Sequence, residues 1–405
     1  MSELNAVIVG AGMAGVQTAV ELRQQGWRGG ITLLGEEPHA PYDRPPLSKS
    51  VLLGAAGGKQ GVDVRFEVDF DALGVELRLG LRAQALRADE REVVTDTGVI
   101  PYDRLVVATG AYAVTLPGTS GLPDVHPLRT LDDASALRPV LDQRRQVVVV
   151  GAGWIGAEFA TAARQAGCAV TVVEAADRPL ARALPADVTE PMRGWYEEAG
   201  VELRTGTPVA AVEPGEVVLV DGARLPAEAV VVGIGARPAT GWLGGSGVAL
   251  DSGGDGAVLA DDRLRTTADG VFAVGDCASF PSARYGERLL VHHWDNAVQG
   301  PRTAAANLLG DDERYDPVPY FWSEQFGRFV QYAGHHTTAD AVLTRGDLSA
   351  PSWSVLWLRD GVLVALLAVD RPRDLTQGRK LITRSAVIDP AVAADPSVQL
   401  KSAVR

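Results

Sequence analysis

Residues 6–15 read Ala6-Val-Ile-Val-Gly10-Ala-Gly12-Met-Ala-Gly15, a short apolar run followed at once by three closely spaced glycines. The apolar run is typical of a buried parallel strand, and the residues after it continue with helical spacing until Gly26. Gly10 permits a tight turn, Gly12 lets the backbone approach a diphosphate, and Gly15 lets the helix pack close to the strand. This stretch predicts a strand, an anion-binding turn and a helix whose N-terminus faces the anion.

A second apolar strand, Ile31–Leu34, completes the unit and leads to Glu36, which lies 21 residues after Gly15. That interval matches a strand-turn-helix-strand unit in which the final acid binds a ribose hydroxyl. Taken alone, Glu36 is typical of a solvated loop acid. Its place after the second strand favours the ribose instead.

The same pattern recurs at residues 147–156, which read Val147-Val-Val-Val-Gly151-Ala-Gly153-Trp-Ile-Gly156. A helical stretch follows, and a strand over 169–173 ends in Glu174, 18 residues after Gly156. A lone glycine motif of this kind arises often by chance. Two copies, each with strands, helix and terminal acid, predict two dinucleotide-binding units.

The residues after Glu174 bear on the choice of nucleotide. Ala175 and Ala176 follow it, and no base occurs before Arg178, so nothing adjacent is placed to hold a 2′-phosphate. The sequence therefore favours NAD over NADP.

The composition is that of an ordinary folded chain, with 405 residues of which 46% are hydrophobic and 22% charged. At about 150 residues per domain, this length predicts two to three domains. The net charge of −13 argues against nucleic acid as the main partner, because an acidic surface repels phosphate backbones.

The chain has only two cysteines, Cys168 and Cys277, and they form no Cys-x-x-Cys pair. They are too few for a thiolate zinc site or an iron–sulphur cluster, and no metal site is predicted. This usage predicts a reduced, cytoplasmic protein. No apolar run reaches membrane-spanning length, and the glycine-interrupted stretch 6–20 lacks the basic start of a signal peptide, so no membrane association is expected.

Five further segments carry a resemblance to a known family. They are Pro41-Tyr-Asp-Arg-Pro-Pro-Leu-Ser-Lys49, Ala108-Thr-Gly110, Gly233-Ile-Gly-Ala-Arg-Pro238, Phe272-Ala-Val-Gly-Asp276 and Pro319-Tyr-Phe-Trp-Ser323. In this order they resemble the flavin-dependent NADH:ferredoxin reductases of bacterial oxygenase systems, the putidaredoxin reductase type. The likeness covers nearly the whole chain.

The resemblance implies an α/β fold with two Rossmann-like dinucleotide-binding domains, as in glutathione reductase, and a C-terminal α+β interface domain. It implies an FAD-binding domain over 1–111 and 239–318 and an NAD-binding domain over 112–238. The C-terminal domain is expected over 319–405. Glycines and prolines at 121–127 and 233–238 fit the two crossovers between the nucleotide domains.

The same resemblance implies a set of candidate binding residues for each cofactor. For FAD they are Gly10, Gly12, Ala14, Gly15, Glu36, Arg44, Lys49, Ala108, Thr109, Gly110, Arg129, Gly275, Asp276, Trp294 and Trp322. For NAD they are Gly151, Gly153, Ile155, Gly156, Glu158, Glu174, Arg182 and Gly235. Taken singly, the two tryptophans are more typical of core residues.

Lys49 and Glu158 are implied as the catalytic pair, with Lys49 beside the reactive edge of the flavin. Composition alone would make Lys49 a surface lysine. Hydride transfer needs two rings held close in a dry slot rather than a strong acid or base, so both residues are expected to act by position and charge. The family commonly carries an acid where this chain has His292, which leaves the field and the proton supply at the flavin open.

The C-terminal segment predicts strands at 329–332, 354–358 and 362–369, with Asp360-Gly361 as a hairpin turn, and then a helix over 376–387. No third glycine motif occurs there, which favours an interface or lid role.

Five bases stand against one acid between Arg371 and Arg384. We expect Arg379, Lys380 and Arg384 to dock an acidic ferredoxin, with Lys380 and Arg384 on one helical face. A solvated basic helix without a partner is the alternative.

The sequence thus predicts an enzyme that takes hydride from NADH onto FAD and passes electrons one at a time to an iron–sulphur ferredoxin, which supplies an oxygenase. An NADH oxidase or disulfide reductase would need a redox cysteine near Leu47-Ser48-Lys49, where this chain has none. An NADH-sensing flavoprotein of the apoptosis-inducing type, without a ferredoxin acceptor, stays open as an alternative.

Overall fold

The computed structural model describes residues 4–54 and 63–405. Its helices, in chain order, are α1 (Met13–Gln24), α2 (Ser50–Leu53), α3 (Leu131–Asp142), α4 (Trp154–Ala166), α5 (Ala186–Thr189), α6 (Arg193–Glu198), α7 (Trp294–Leu309), α8 (Pro372–Thr383) and α9 (Pro390–Ala394). Its strands are β1 (Asn5–Val9), β2 (Gly30–Leu34), β3 (Val75–Arg78), β4 (Ala83–Arg87), β5 (Glu92–Thr95), β6 (Gly98–Pro101), β7 (Arg104–Val107), β8 (Ala111–Ala113), β9 (Val125–Pro127), β10 (Val147–Val150), β11 (Val170–Glu174), β12 (Glu202–Thr205), β13 (Val209–Glu213), β14 (Glu216–Leu219), β15 (Arg224–Pro226), β16 (Ala229–Val232), β17 (Ala236–Pro238), β18 (Val258–Leu259), β19 (Val271–Ala273), β20 (Ala278–Ser282), β21 (Glu287–Leu290), β22 (Tyr320–Gln325), β23 (Arg328–Gly334), β24 (Ala341–Arg345), β25 (Trp353–Arg359) and β26 (Val362–Val369).

The chain forms two compact units, each built from three stretches of sequence. The first comprises Met1–Asp43, Val64–Tyr112 and Arg237–Phe321, and the second comprises Arg44–Asp63, Ala113–Ala236 and Trp322–Arg405. The division into three domains with the boundaries given above stays a prediction. In the parts of the chain that the structure describes, no helix combines the length and the apolar character needed to span a bilayer.

The first unit is organised around a parallel sheet in the strand order β19-β7-β1-β2-β3. β1 lies at its centre, and its residues from Ala6 to Val9 are at most 4% exposed. An apolar run of this kind fits a central parallel strand, because such a strand is covered on both faces. The predicted sequence of strand, turn, helix and strand over residues 5–34 is confirmed.

The second unit repeats this plan with a parallel sheet in the order β12-β11-β10-β16-β9. The four valines of β10 form its centre and are at most 6% exposed. Helix α4 follows β10 and ends at Gly167, whose positive φ of 92° caps the helix. The second predicted nucleotide unit is confirmed as a fold.

A third five-stranded sheet, in the order β22-β23-β26-β25-β24, occupies the C-terminal part of the chain. Asp360 and Gly361 have φ angles of 51° and 76° and connect antiparallel β25 and β26, which confirms the predicted hairpin turn. Strands β22 and β24 were not among the predicted elements.

The predicted helix over 376–387 is wrong at both ends, since α8 spans Pro372–Thr383. Pro372 is pre-organised for the first helical position, and Ser385 ends the helix because its φ is +49°. Arg384 is the C-cap residue, and its amide donates to the Lys380 carbonyl at 3.3 Å, so the two residues keep their i, i+4 relationship at the end of the helix.

Candidate functional site

The first glycine turn is too tightly packed to accept side chains. Gly10 has a φ of +114°, and a Cβ atom there would lie 2.2 Å from the carbonyl oxygen of Ala108. A Cβ atom on Gly15 would lie 1.8 Å from the carbonyl oxygen of Gly10. The carboxyl ends of β1 and β7 and the start of α1 are therefore held together by residues without a Cβ atom.

Gly12, by contrast, faces open space. A Cβ atom there would meet nothing within 4 Å, and no side chain caps α1 at this residue. The first intrahelical bond runs from Val16 N to Gly12 O, so the amides before Val16 have no intrahelical acceptor. Open space before unsatisfied amides at the positive end of a helix fits a diphosphate.

Four further FAD candidates lie in or beside this turn. A Cβ atom on Gly275 would lie 2.9 Å from the Cβ atom of Ala14, so the turn that carries half-buried Asp276 packs on the first turn of α1. Thr109 Oγ1 donates to the carbonyl of Ala239 at 2.8 Å. The structure thus brings Gly275, Asp276 and Ala14 to one end of the first sheet.

The remaining candidates in the first unit lie at exposed or partly exposed positions. Glu36 follows β2, with its side chain 67% exposed and 3.5 Å from Arg82. Trp294 begins α7, and its Nε1 donates to Asp43 Oδ1 at 2.8 Å. His292 is exposed and lies two residues before that helix.

The second glycine turn has the same local geometry as the first. Gly151 has a φ of +103°, and a Cβ atom there would lie 2.4 Å from the carbonyl oxygen of Gly233. A Cβ atom on Gly156 would lie 2.0 Å from the carbonyl oxygen of Gly151. Gly153 is the N-cap of α4 without a side-chain cap. The residues present at this turn also fit a dinucleotide.

Glu174 ends β11 and is tied to this turn by its carboxylate. Oε2 accepts the Ala152 amide at 2.7 Å, and Oε1 accepts the Ala176 amide at 2.9 Å. Each carboxylate oxygen has a second acceptor position, so Glu174 can still accept a ribose hydroxyl. The two amides fix the carboxylate beside the glycine turn.

The other NAD candidates have less defined surroundings. Ile155 lies in the first turn of α4 and is 42% exposed. Gly235 has a φ of +125° and faces open space, and Arg182 is exposed. Their roles toward NAD stay predictions.

The predicted pair of Lys49 and Glu158 forms in the second unit. Lys49 Nζ lies 2.7 Å from Glu158 Oε2, with the side chains 20% and 4% exposed. Ser48 Oγ donates to the same carboxylate oxygen at 2.5 Å, and Ser323 Oγ donates to Oε1 at 2.7 Å. A buried carboxylate is tolerated only with such partners.

Sequence reasoning did not single out Ser48, Ser323 or Gln325, which form this network with Glu158. Ser48 and Ser323 both lie in segments that carry the family resemblance. Nothing in those segments, however, pairs either serine with an acid in another segment.

Four of the FAD candidates, Arg44, Lys49, Arg129 and Trp322, belong to the second unit, whereas the others belong to the first. Arg44 Nη1 donates to the carbonyl of Arg129 at 3.0 Å. Trp322 is half-buried on β22 next to Ser323, so the two side chains point to opposite faces of the strand. That these four residues bind FAD stays a prediction.

The fold and the two glycine turns define a protein that binds two dinucleotides. Residues 4–300 match the family described as pyridine nucleotide-disulphide oxidoreductase, and residues 320–404 match the one described as reductase C-terminal. The chain belongs to the pyridine nucleotide-disulphide oxidoreductase family.

Three similar proteins illustrate the match. Rhodocoxin reductase of Rhodococcus erythropolis is 36% identical over 99% of this chain and 94% of its own length. The ferredoxin–NAD(+) reductase component of the anthranilate 1,2-dioxygenase system of Burkholderia cepacia is 38% identical over 98% of both chains. The crystal structure of the covalent putidaredoxin reductase–putidaredoxin complex matches with a TM-score of 0.93 at 33% identity, over 99% of this chain and 98% of that one.

Proposed function

We propose that this chain is an FAD-dependent NADH:ferredoxin oxidoreductase that supplies electrons to an oxygenase system. The observation that carries the proposal is the match over both parts of the chain to reductases named for their ferredoxins and oxygenases. The two dinucleotide turns supply the binding sites that this activity needs. When bound, FAD accepts hydride from NADH and releases the electrons singly.

The first glycine turn holds FAD. The amides at the start of α1 bind its diphosphate through the open space at Gly12, and Glu36 at the end of β2 accepts a ribose hydroxyl. Asp276, packed beside the first turn of α1, supplies a further carboxylate to the same ligand.

The second glycine turn holds NADH, and Glu174 selects it. The carboxylate is already fixed to the amides of Ala152 and Ala176, so it cannot swing away from a 2′-phosphate without losing both bonds. Such a phosphate would lie against a fixed negative charge. A ribose hydroxyl, in contrast, donates to it.

Lys49 and Glu158 act by charge and position. Glu158 accepts hydrogen bonds from Ser48, Lys49 and Ser323, so the orientation of its carboxylate is fixed. The ammonium of Lys49 balances the charge of the buried Glu158 carboxylate. Because both groups are held in place, a neighbouring ligand meets charges at fixed positions.

The ferredoxin docks, in this proposal, on a C-terminal basic patch, defined as Arg379, Lys380, Arg384 and Lys401. Lys380, Arg384 and Lys401 are exposed, and the Lys401 amide donates to Gln377 Oε1 at 2.9 Å, which brings Lys401 to α8. Because the chain has a net charge of −13, a local positive patch is the surface to which an acidic partner is expected to bind.

Arg371 contributes less to this patch than the sequence suggested. Its Nε donates to Asp374 Oδ2 at 2.9 Å, which holds Arg371 at the first turn of α8, whereas Lys380 and Arg384 lie at the last turn. The positive surface therefore lies toward the end of α8 and the chain terminus.

The alternatives are less well supported. The similar proteins are reductase components, which does not favour an NADH sensor without a ferredoxin. A disulfide reductase needs an accessible thiol, whereas Cys168 and Cys277 are both buried and unpaired. The same reduced cysteines support the proposed cytoplasmic location.

The proposal is tested by steady-state turnover. The protein, loaded with FAD, should reduce a two-iron ferredoxin at the expense of NADH, with saturation in both substrates. Turnover of a small dye at the expense of NADH, without any ferredoxin reduction across several ferredoxins, would instead support the sensor.

A further inference from the structure

The Glu158 carboxylate is held by donors from three separate segments of the second unit. Ser48 and Lys49 approach Oε2 from the segment that precedes α2, and Ser323 approaches Oε1 from β22. Oε1 thus depends on a strand of the C-terminal sheet, although Glu158 itself lies on the helix that follows the second glycine turn.

The direction of the Ser323 hydrogen bond is fixed by its neighbour. Gln325 Nε2 donates to Ser323 Oγ at 3.1 Å, and an amide nitrogen cannot accept. Ser323 Oγ therefore uses its single hydrogen to donate to Glu158. Ser323 and Gln325 are 1% and 2% exposed, so water does not compete for either group.

The turn after β22 is anchored to the same helix. The Phe326 amide donates to Thr161 Oγ1 at 2.9 Å, and Thr161 lies three residues after Glu158, on the same face of α4. This contact holds the end of β22 against α4, the helix that carries Glu158.

We propose that Ser323 is a positioning residue for the reaction with NADH, acting through the orientation of Glu158. The inference rests on the proposed function, since it assigns Glu158 to the nicotinamide side of that reaction. Loss of the Ser323 hydroxyl frees Oε1, and the carboxylate can then rotate about its bonds to Ser48 and Lys49. The C-terminal sheet thereby contributes directly to the nucleotide chemistry.

Ser354 supplies a matched control in the same sheet. Its Oγ donates to Asp374 Oδ2 at 2.9 Å, and the residue is fully buried on β25. Ser323→Ala and Ser354→Ala each remove one hydroxyl that donates to a buried carboxylate. They should cost similar stability but differ in their effect on the reaction with NADH.

The experiment measures flavin reduction at saturating NADH by stopped-flow absorbance. Each variant loses one hydrogen bond to a carboxylate. We expect Ser323→Ala to slow flavin reduction about tenfold, because its bond orients Glu158, and Ser354→Ala to slow it by less than about twofold, because its bond is to Asp374. The KM for ferredoxin should be unchanged in both variants, because neither serine faces the solvent.

Combining Ser323→Ala with Glu158→Gln gives a double-mutant cycle. Two quantities are measured for each variant: the rate of flavin reduction and the dissociation constant of NAD+ from the oxidised protein. If Ser323 acts through Glu158, the double variant Ser323→Ala/Glu158→Gln should resemble Glu158→Gln alone in both measurements. Independent, multiplying effects would overturn the inference, as would equal losses in Ser323→Ala and Ser354→Ala. A wild-type protein that binds NAD+ but is not reduced by NADH would instead contradict the proposed function, and the NAD+ cycle would still decide the role of Ser323.

Discussion

The ammonium of Lys49 lies 2.7 Å from the carboxylate of Glu158, although 109 residues separate them in the chain. Glu158 is 4% exposed and lies five residues after Gly153, at the start of the helix that the second glycine turn opens. Burying such a pair carries a desolvation cost, which the hydrogen bonds donated by Ser48 and Ser323 to the same carboxylate help to offset.

The first prediction concerns the acid of this pair. Glu158→Ala should slow flavin reduction by NADH about 10- to 100-fold, the range expected when hydrogen bonds to a charged group are lost. The content of bound FAD should stay near one per chain, because Glu158 is assigned to the nicotinamide side. Stopped-flow absorbance gives the rate, and the spectrum of the purified variant gives the FAD content.

Glu198→Ala is the matched control for this variant. Glu198 also pairs with a base, Arg328, but its side chain is 63% exposed. Its loss should leave the rate of flavin reduction within about twofold of wild type, as expected for an exposed pair. If Glu158→Ala left the rate of flavin reduction unchanged, Lys49 and Glu158 would be a structural ion pair without a role in the reaction.

The second prediction concerns nucleotide choice. NADH should be preferred over NADPH by roughly 10- to 1000-fold in kcat/KM, because a 2′-phosphate would lie against the fixed carboxylate of Glu174. Glu174→Ala should narrow this preference without removing FAD. Glu202→Ala, which removes an acid from the neighbouring strand β12, should leave the preference unchanged. Equal use of the two nucleotides by the wild-type protein would refute the assignment.

The glycine turns were predictable from sequence because the requirement for each glycine is local. Gly10 and Gly151 need a positive φ, and Gly15 and Gly156 need close backbone contact, at fixed spacings along the chain. The Lys49–Glu158 pair came from the resemblance, since no spacing rule joins residues so far apart. Ser323 was missed for the same reason, because 165 residues separate it from Glu158.

The bounds of α8 show a different limit. The helix begins at Pro372, which is pre-organised for the first helical position, and not at Thr376. Asp374 in its first turn pairs with Arg345 at 2.9 Å, which joins α8 to β24. The proline was a local signal for the helix start, whereas no local pattern indicates the ion pair, because β24 was not predicted.

The third prediction tests the C-terminal basic patch. Reversing Lys380 and Arg384 to Glu should raise the KM for an acidic ferredoxin and flatten its salt dependence, because the attraction between the two surfaces is lost. Reduction of small dyes by NADH should stay unchanged. Ferredoxin titrations at low and high salt supply the measurement.

Reversing Arg87 and Arg204 to Glu changes the net charge by the same amount at exposed positions that are not part of the patch. That variant should raise the KM for ferredoxin much less. A KM unaltered at low salt in Lys380→Glu/Arg384→Glu would move the docking surface elsewhere, with Arg44 and Arg302 as the next candidates.

The fourth prediction concerns alkaline stability. Burial raises the pKa of the Cys277 thiol from its ordinary value of 9.0 to about 11. The folded protein keeps this thiol neutral, so its contribution to stability is complete below about pH 8 and is lost as the pH rises toward 11. The advantage of wild type over Cys277→Ala in free energy of unfolding should therefore shrink by about 2 kcal/mol between pH 8 and pH 11. Denaturant unfolding at both pH values measures it, and an advantage that does not change with pH would contradict the prediction.

The central claim is that electrons pass from NADH through bound FAD to a ferredoxin. Anaerobic titration of the FAD-loaded protein with NADH, followed by addition of an oxidised two-iron ferredoxin, tests all three partners in one cuvette. The account predicts that about one NADH bleaches the flavin absorbance of each chain and that ferredoxin then restores it while itself becoming reduced, about two ferredoxins per flavin. A flavin that NADH does not bleach, or a reduced flavin that no ferredoxin reoxidises, would contradict it.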